Sequence, residues 1–233
     1  MLFAAHIPFL ITMLGKLLGS IASTGKAPAQ AAPATPASRM VLNVGGNGKH
    51  VGIPAHYDGW VHHLLDIDPR GAPDILCDAR ELLGQRAGTY DAIYCAHNLE
   101  HYFHHDARRV LQGFLHVLKH DGFAEIKVPD IMAVMQKVLA EQLDLDDQLY
   151  DSLLGPIQVR DVIWGYGREI EASGSAFYSH KTGFSPKSLT AFLENAGFAE
   201  VFLDGAAAER LEVSAIAFKQ AGPNPHKKSF GLD

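Results

Sequence analysis

The segment from Met40 to Asp91 constrains the fold most, because several short apolar runs in it stop at glycines or acids. Met40-Val41-Leu42-Asn43-Val44 halts at Gly45-Gly46-Asn47-Gly48, and Leu64-Leu65-Asp66-Ile67-Asp68-Pro69 ends in acids. Ile75-Leu76-Cys77-Asp78 also ends in an acid, and a further run, Asp91-Ala92-Ile93-Tyr94-Cys95-Ala96, leads into His97. These runs read as strands of an open α/β sheet. A glycine turn after the first strand lets the backbone approach a ligand closely. An acid about 20 residues later, at the next strand's carboxyl end, can accept both hydroxyls of a ribose. Asp66 stands at that interval from Gly45. The glycines alone carry little, since they do not form GxGxxG and glycine turns often serve only tight packing. The strand ends in series predict a nucleotide-type pocket, because ligands of such sheets bind outside the strands' carboxyl ends.

At 233 residues the chain suits one domain with a sizeable core plus extras. A formal charge of −6 argues against a general nucleic-acid footprint, which needs a basic face. Cys77 and Cys95 both sit in apolar strand-like runs and form neither a disulfide framework nor a CxxC knuckle, which fits a reducing, cytoplasmic setting.

Residues 1–24 read as an apolar, amphipathic helix, with Ile7, Leu10, Ile11, Leu14, Leu17, Leu18 and Ile21 at helical spacing. Lys16 interrupts the run, and no positive charge precedes it as a secretory signal would need. The helix is expected on a membrane surface, on another protein or on its own domain. Residues 25–39, rich in Ala and Pro, are a linker. The main domain is expected over 40–220, with a cap or insertion over 142–183 and a flexible tail over 221–233. Gly52, Pro54 and Gly59 leave no helical periodicity between the first two strands, so the first half is short of helices. Helices are expected over Ala79–Gln85, Asp106–Lys119, Asp130 to about Glu141, and from Ser185-Pro186 to Gly197. Phe123 to Val128 is a fifth strand, and Val201-Phe202-Leu203 with Leu211 to Phe218 forms a C-terminal antiparallel pair.

Val41 to Gly46, Leu65 to Pro69, Cys77-Asp78-Ala79, Tyr90 to Ile93 and Val117 to Phe123 together resemble class I S-adenosylmethionine-dependent methyltransferases. His97-Asn98-Leu99-Glu100-His101, Val128-Pro129-Asp130, Gly155-Pro156-Ile157 and His180 to Phe184 are similar to a bacterial, type 11-like branch of undefined substrate. The resemblance covers roughly 40–218. It implies a Rossmann-like, mostly parallel sheet with an antiparallel C-terminal strand, shortened helices in the first half and a helical cap. It also implies S-adenosylmethionine as cofactor, with Asn43, Gly45 and Gly46 at the methionine part, Asp66 on the ribose, Asp78 and Ala79 at the adenine, and His97 beside the substrate. Asn43 stands where the family has an acid, and can hydrogen-bond the cofactor's ammonium but not pair with it.

Methyl transfer from a sulfonium asks a protein mainly for positioning, plus a base if the acceptor must lose a proton. His97 is the first candidate base, with His101, Glu100 and His180 in support. Tyr57, Trp60, Tyr102, Trp164 and Tyr166 are expected at the mouth, which favours a small-molecule or glycan-type acceptor. His97-Asn98-Leu99-Glu100-His101 also matches H-x-x-E-H, the inverted zinc-protease motif, with Glu169 or Glu171 as a conceivable third ligand. The motif directly follows a strand rather than lying within a helix, so no metal ligand is assigned. A non-catalytic scaffold is the third reading, kept open by Asn43 and Asn47.

Overall fold

The computed structural model describes residues 38–152 and 155–232. The expected N-terminal helix and nearly all of the linker lie outside the described residues. No helix among the described residues is long and apolar enough to cross a membrane.

Five parallel strands form the body of the sheet: β1 (Met40–Val44), β2 (Val61–Asp66), β3 (Ile75–Leu76), β4 (Tyr90–Ala96) and β5 (Leu118–Pro129). β6 (Gln148–Ser152) and β7 (Gly155–Gln158) make a separate antiparallel ribbon, while β8 (Glu200–Leu203) and β9 (Glu212–Phe218) complete the main sheet. Its order is β3-β2-β1-β4-β5-β9-β8, with β9 antiparallel to both neighbours. The chain crosses from β3 to β4 past β1, so the order reverses beside β1 and opens a crevice at the strands' carboxyl ends. Asp91 fastens the opposite end of the strands, where its carboxylate accepts from Met40 N at 2.8 Å and from Lys119 Nζ at 2.7 Å.

One face of the sheet is covered by helices. α1 (His104–Val117), α5 (Pro186–Ala196) and a 3-10 helix over Ala79–Gly84 bury Leu42, Ile93, Ala124 and Ala215 beneath Val110, Leu111, Phe114 and Leu189. α1 stops at Val117, two residues short of the expected end, because Leu118 enters β5 opposite Tyr90 and the register then slips before Ala92. α5 has the expected boundaries: Ser185 accepts from Ser188 N, and Gly197 takes φ +115° at the C-terminal end.

The other face carries no α-helix between β1 and β2, only a 3-10 turn over Ala55–Tyr57. Val41, Ala92, Phe123, Ile216 and Phe218 would face water there, and Tyr57, Trp60 and the chain's end cover them instead. Here the expectation of a flexible tail needs correcting. Lys227–Phe230 form a 3-10 helix, His226 lies buried against Phe123 with ring centroids 5.1 Å apart, and Phe230 meets the same ring at 5.2 Å. Apolar strand surface left uncovered by a missing crossover helix gives the tail a surface on which to fold.

Between β5 and α5 lies the insertion. Asp130 caps α2 (Ile131–Glu141), accepting from Met132 N and Ala133 N. The segment expected to be a helical cap contains α3 (Val159–Trp164), α4 (Gly167–Ser173) and a 3-10 turn at Ala176–Tyr178, but also the β6–β7 ribbon. Its own small core joins Val134, Leu149, Ile157, Val159 and Val162.

Candidate functional site

Two adjoining cavities open at the carboxyl ends of β1, β2 and β4. The smaller, about 340 Å³, is lined by Gly45, Asp66, Asp78, Arg80, His97 and Tyr178 among others. Gly45 takes φ +73°, and a Cβ there would stand 2.0 Å from the Asn98 amide, so only glycine lets the turn pass so close to the segment after β4. Asp66 closes β2 and is nearly buried. Its Oδ2 accepts from Asn47 N and its Oδ1 from Asp68 N, each at 2.9 Å. A carboxylate held by two backbone N–H groups keeps a fixed orientation and retains lone pairs for hydroxyl donors.

Asp78 is more encumbered. Arg80 reaches its Oδ2 with Nη2 at 2.6 Å and Nε at 3.0 Å, so an adenine amino group would share the carboxylate with a guanidinium. Asn43, Gly46 and Ala79 lie behind the wall instead of in it. A Cβ on Gly46 would meet the Asn43 amide at 2.2 Å, so Asn43 supports the turn from beneath, and Ala79 is buried in the core.

A clasp that has no local signal in the sequence crosses the cavity. Arg70 donates to Asp68 Oδ2 (Nε, 2.8 Å) and to Glu169 Oε1 (2.9 Å), while the Tyr178 hydroxyl donates to Asp68 Oδ2 at 2.9 Å. The loop after β2 is thereby tied to the insertion. The Arg70 guanidinium is the main cause holding the Asp68 carboxyl down to about 2. These partners lie about 100 residues apart, beyond any local sequence signal.

The larger cavity, about 720 Å³, lies under the insertion and shares His97, His101, Asn47 and Tyr178 with the smaller one. Glu100, His180, Tyr150, Tyr166, Asp161 and Glu212 complete much of its wall. That volume matches sites that hold a drug-sized molecule. Tyr102 faces the smaller cavity and Tyr166 the larger, but Tyr57 and Trp60 pack beneath the sheet, the expected mouth notwithstanding. The bare face of the sheet claims those two rings.

His97 follows β4 with φ +50°, its N–H bonded to Lys127 O at 2.9 Å. A left-handed histidine is a strained conformation that clusters at functional sites. Its Nε2 is 3.0 Å from Glu212 Oε2, and its Nδ1 is 3.6 Å from Glu100 Oε1. The ring is about half exposed; the desolvation it does suffer works against its charge, but the two carboxylates outweigh that and push the ring up to about 10. At neutral pH His97 is therefore an imidazolium with no lone pair to take a proton, which argues against the base role expected of it. Glu212, at the start of β9, carried no signal in the sequence.

Glu100 is buried, and no hydrogen bond reaches either of its carboxylate oxygens. His101 and His180 lie beside it, their rings 4.9 Å apart, with His180 Nε2 at 4.0 Å from Glu100 Oε1. Main-chain clamps hold the group together: Lys181 N and Thr182 N donate to Glu100 O at 2.8 and 3.2 Å, and Lys181 Nζ to His101 O at 2.9 Å. Gly165 allows this approach, since with φ +102° it lies so near Tyr178 that a Cβ would stand 2.1 Å from its carbonyl oxygen. Burial lowers the His180 ring, the Glu100 carboxylate opposing it, so this imidazole is neutral near pH 7.

The inverted zinc-protease arrangement is not formed. Leu99–His101 is a single 3-10 turn, His97 sits before it and turns to Glu212, Glu169 is paired with Arg70, and Glu171 is exposed. His105 and His120 are solvent-exposed, and His104 rests against Phe192.

No protein-family model matches the chain, and no curated protein matches it. Solved structures do. One is a SAM-dependent methyltransferase from Archaeoglobus fulgidus, with a TM-score of 0.50 and 15% identity over 78% of this chain and 87% of that one. Another is the Burkholderia thailandensis 1,6-didemethyltoxoflavin-N1-methyltransferase, with bound 1,6-didemethyltoxoflavin and S-adenosylhomocysteine. Its TM-score is 0.50, with 17% identity over 79% of this chain and 72% of that one. At such identities the likeness defines the fold, which is that of the class I S-adenosylmethionine-dependent methyltransferases.

Proposed function

We propose that the protein transfers a methyl group from S-adenosylmethionine to a small-molecule acceptor, the cofactor lying in the smaller cavity and the acceptor in the larger. The observation that carries this reading is Asp66, fixed by two backbone N–H groups at the end of β2, opposite the left-handed Gly45 and beside the point where strand order reverses. Bound there, the cofactor supplies an electrophilic methyl on a sulfonium. Asp66 would take the ribose hydroxyls, Gly45 the close approach of the methionine part, and Asp78, shared with Arg80, the adenine edge. The Arg70–Asp68–Tyr178 clasp ties the loop after β2 to the insertion at the rim of that cavity. His97, common to both cavities, stands where methyl and acceptor meet. As a cation between Glu100 and Glu212 it orients the two carboxylates, leaving proton acceptance to the neutral His180, with His101 and Glu100 beside it. Cys77 and Cys95, both free, accord with a cytoplasmic setting.

Calorimetric titration of S-adenosylhomocysteine into the full chain tests this directly. Micromolar binding is expected. Asp66→Asn, which keeps the side-chain volume and one acceptor for the turn, should weaken it by about 100-fold, the scale of two charge-assisted hydrogen bonds. No binding by the unaltered protein, or equal binding by a folded Asp66→Asn variant, overturns the assignment.

A further inference from the structure

We propose that Glu100, His101 and His180 bind one divalent transition-metal ion on the wall of the larger cavity, with an open coordination position for an oxygen-bearing acceptor. The ion's part in methyl transfer rests on the functional reading above, whereas the site itself rests on geometry alone.

Among the described residues these three side chains bring a carboxylate oxygen and two imidazole nitrogens within 4.8 Å of one another. The protonation of both rings follows from their outer partners. His101 Nδ1 lies 3.2 Å from Ser179 O and His180 Nδ1 2.8 Å from Val162 O. A carbonyl oxygen only accepts, so each Nδ1 carries the hydrogen and each Nε2 of a neutral ring is left with a bare lone pair. Metal-binding histidines are held this way, the second nitrogen donating to a backbone carbonyl that fixes tautomer and ring orientation. Glu100 supplies the charge. It is fully buried with both oxygens unbonded, a state that costs free energy until a cation or donor satisfies it. The charged ring nearest that carboxylate, His97, holds its Nδ1 3.6 Å from Oε1, beyond hydrogen-bond reach, so both oxygens keep lone pairs for an ion.

Two imidazoles and one carboxylate favour zinc, iron(II) or cobalt(II) over magnesium or calcium, which prefer all-oxygen shells. Three protein ligands leave a position open, as in catalytic rather than structural zinc sites. That position faces a cavity roomy enough for a drug-sized molecule. A hydroxyl coordinated there loses its proton to solvent more readily, which suits an oxygen acceptor of methyl. In the loaded protein His101 and His180 are ligands, and the ion replaces them as the source of acceptor acidity.

The decisive experiment titrates zinc and cobalt(II) into chelator-stripped full-length protein, with S-adenosylhomocysteine titrated in parallel. One equivalent should bind at micromolar affinity or tighter, and cobalt should give a visible d–d absorption band. Glu100→Gln and His180→Ala should each lose at least about 100-fold in ion affinity and abolish the band. A His104→Ala/His105→Ala double variant should bind as before. If His180→Ala fails to fold, His180→Gln, whose amide can still donate to Val162 O, should lose the ion equally. Ion binding that survives Glu100→Gln and either His180 variant, as adventitious binding among the chain's thirteen histidines would, overturns the proposal, and so does no binding at all. Retained S-adenosylhomocysteine binding in those cases would leave the methyl-transfer reading standing. Loss of cofactor binding with the ion site intact would sink that reading alone.

Discussion

His97 illustrates how one residue's chemistry depends on its neighbours. An imidazole at a strand end has an ordinary pKa near 6.5 and looks like a base, but one lodged between Glu100 and Glu212 is a cation. The sign of its effect on stability follows. Its folded pKa is raised, so its contribution is complete below about 6.5 and is lost progressively as pH rises to about 10. Glu212 is shifted the other way: burial opposes its charge, the His97 ring outweighs that, and its contribution is lost only as pH falls below the ordinary carboxylate range. In chelator-treated protein, the His97 ring should therefore titrate near 10 by NMR. The melting temperature of His97→Gln should fall less steeply than that of the unaltered protein between pH 7 and 10. A ring that titrates near 6.5 would refute the arrangement.

Among elements, the insertion decides most about the site, since it carries His180, Tyr178 and Tyr166 onto a sheet that already holds Asp66 and Glu100. Arg70 links the two. Its ion pairs are exposed and screened by solvent, so they add little to global stability. Their effect is local, on how long the 3-10 turn at Ala176–Tyr178 stays closed over the smaller cavity. Arg70→Ala should leave the melting temperature within a degree or two yet weaken S-adenosylhomocysteine binding by about fivefold, and amide exchange around Tyr178 should quicken. Unchanged exchange there would mean the clasp is ornamental. β5 shows the same dependence on context. Phe123-Ala124-Glu125-Ile126-Lys127 alternates as a strand should, and its buried acid is satisfied by the Tyr57 hydroxyl at 3.0 Å and His56 at 2.8 Å, from the turn that replaces a crossover helix.

At the scale of the whole molecule, the sheet is covered asymmetrically, by helices on one face and by aromatic loops and the chain's end on the other. Phe230 packs on Phe123 and His56, so Phe230→Ala should cost about 2 kcal/mol in denaturant unfolding while S-adenosylhomocysteine affinity stays the same. No loss of stability would show that the tail does not cover the sheet. Apolar runs and their punctuation determined the strands, the Gly45 turn, the acid at Asp66 and the capped helices at Asp130 and Ser185. All of these are local signals, in which period, turn chemistry and caps act over a few residues. Tertiary structure alone decided that the tail folds, that Tyr57 and Trp60 turn under the sheet, that Asn43 supports a turn instead of lining a pocket, and that His180 meets Glu100. Each of those outcomes depends on which surface remains bare or which charge lies near once distant segments pack, and neither is written in the spacing of neighbouring residues.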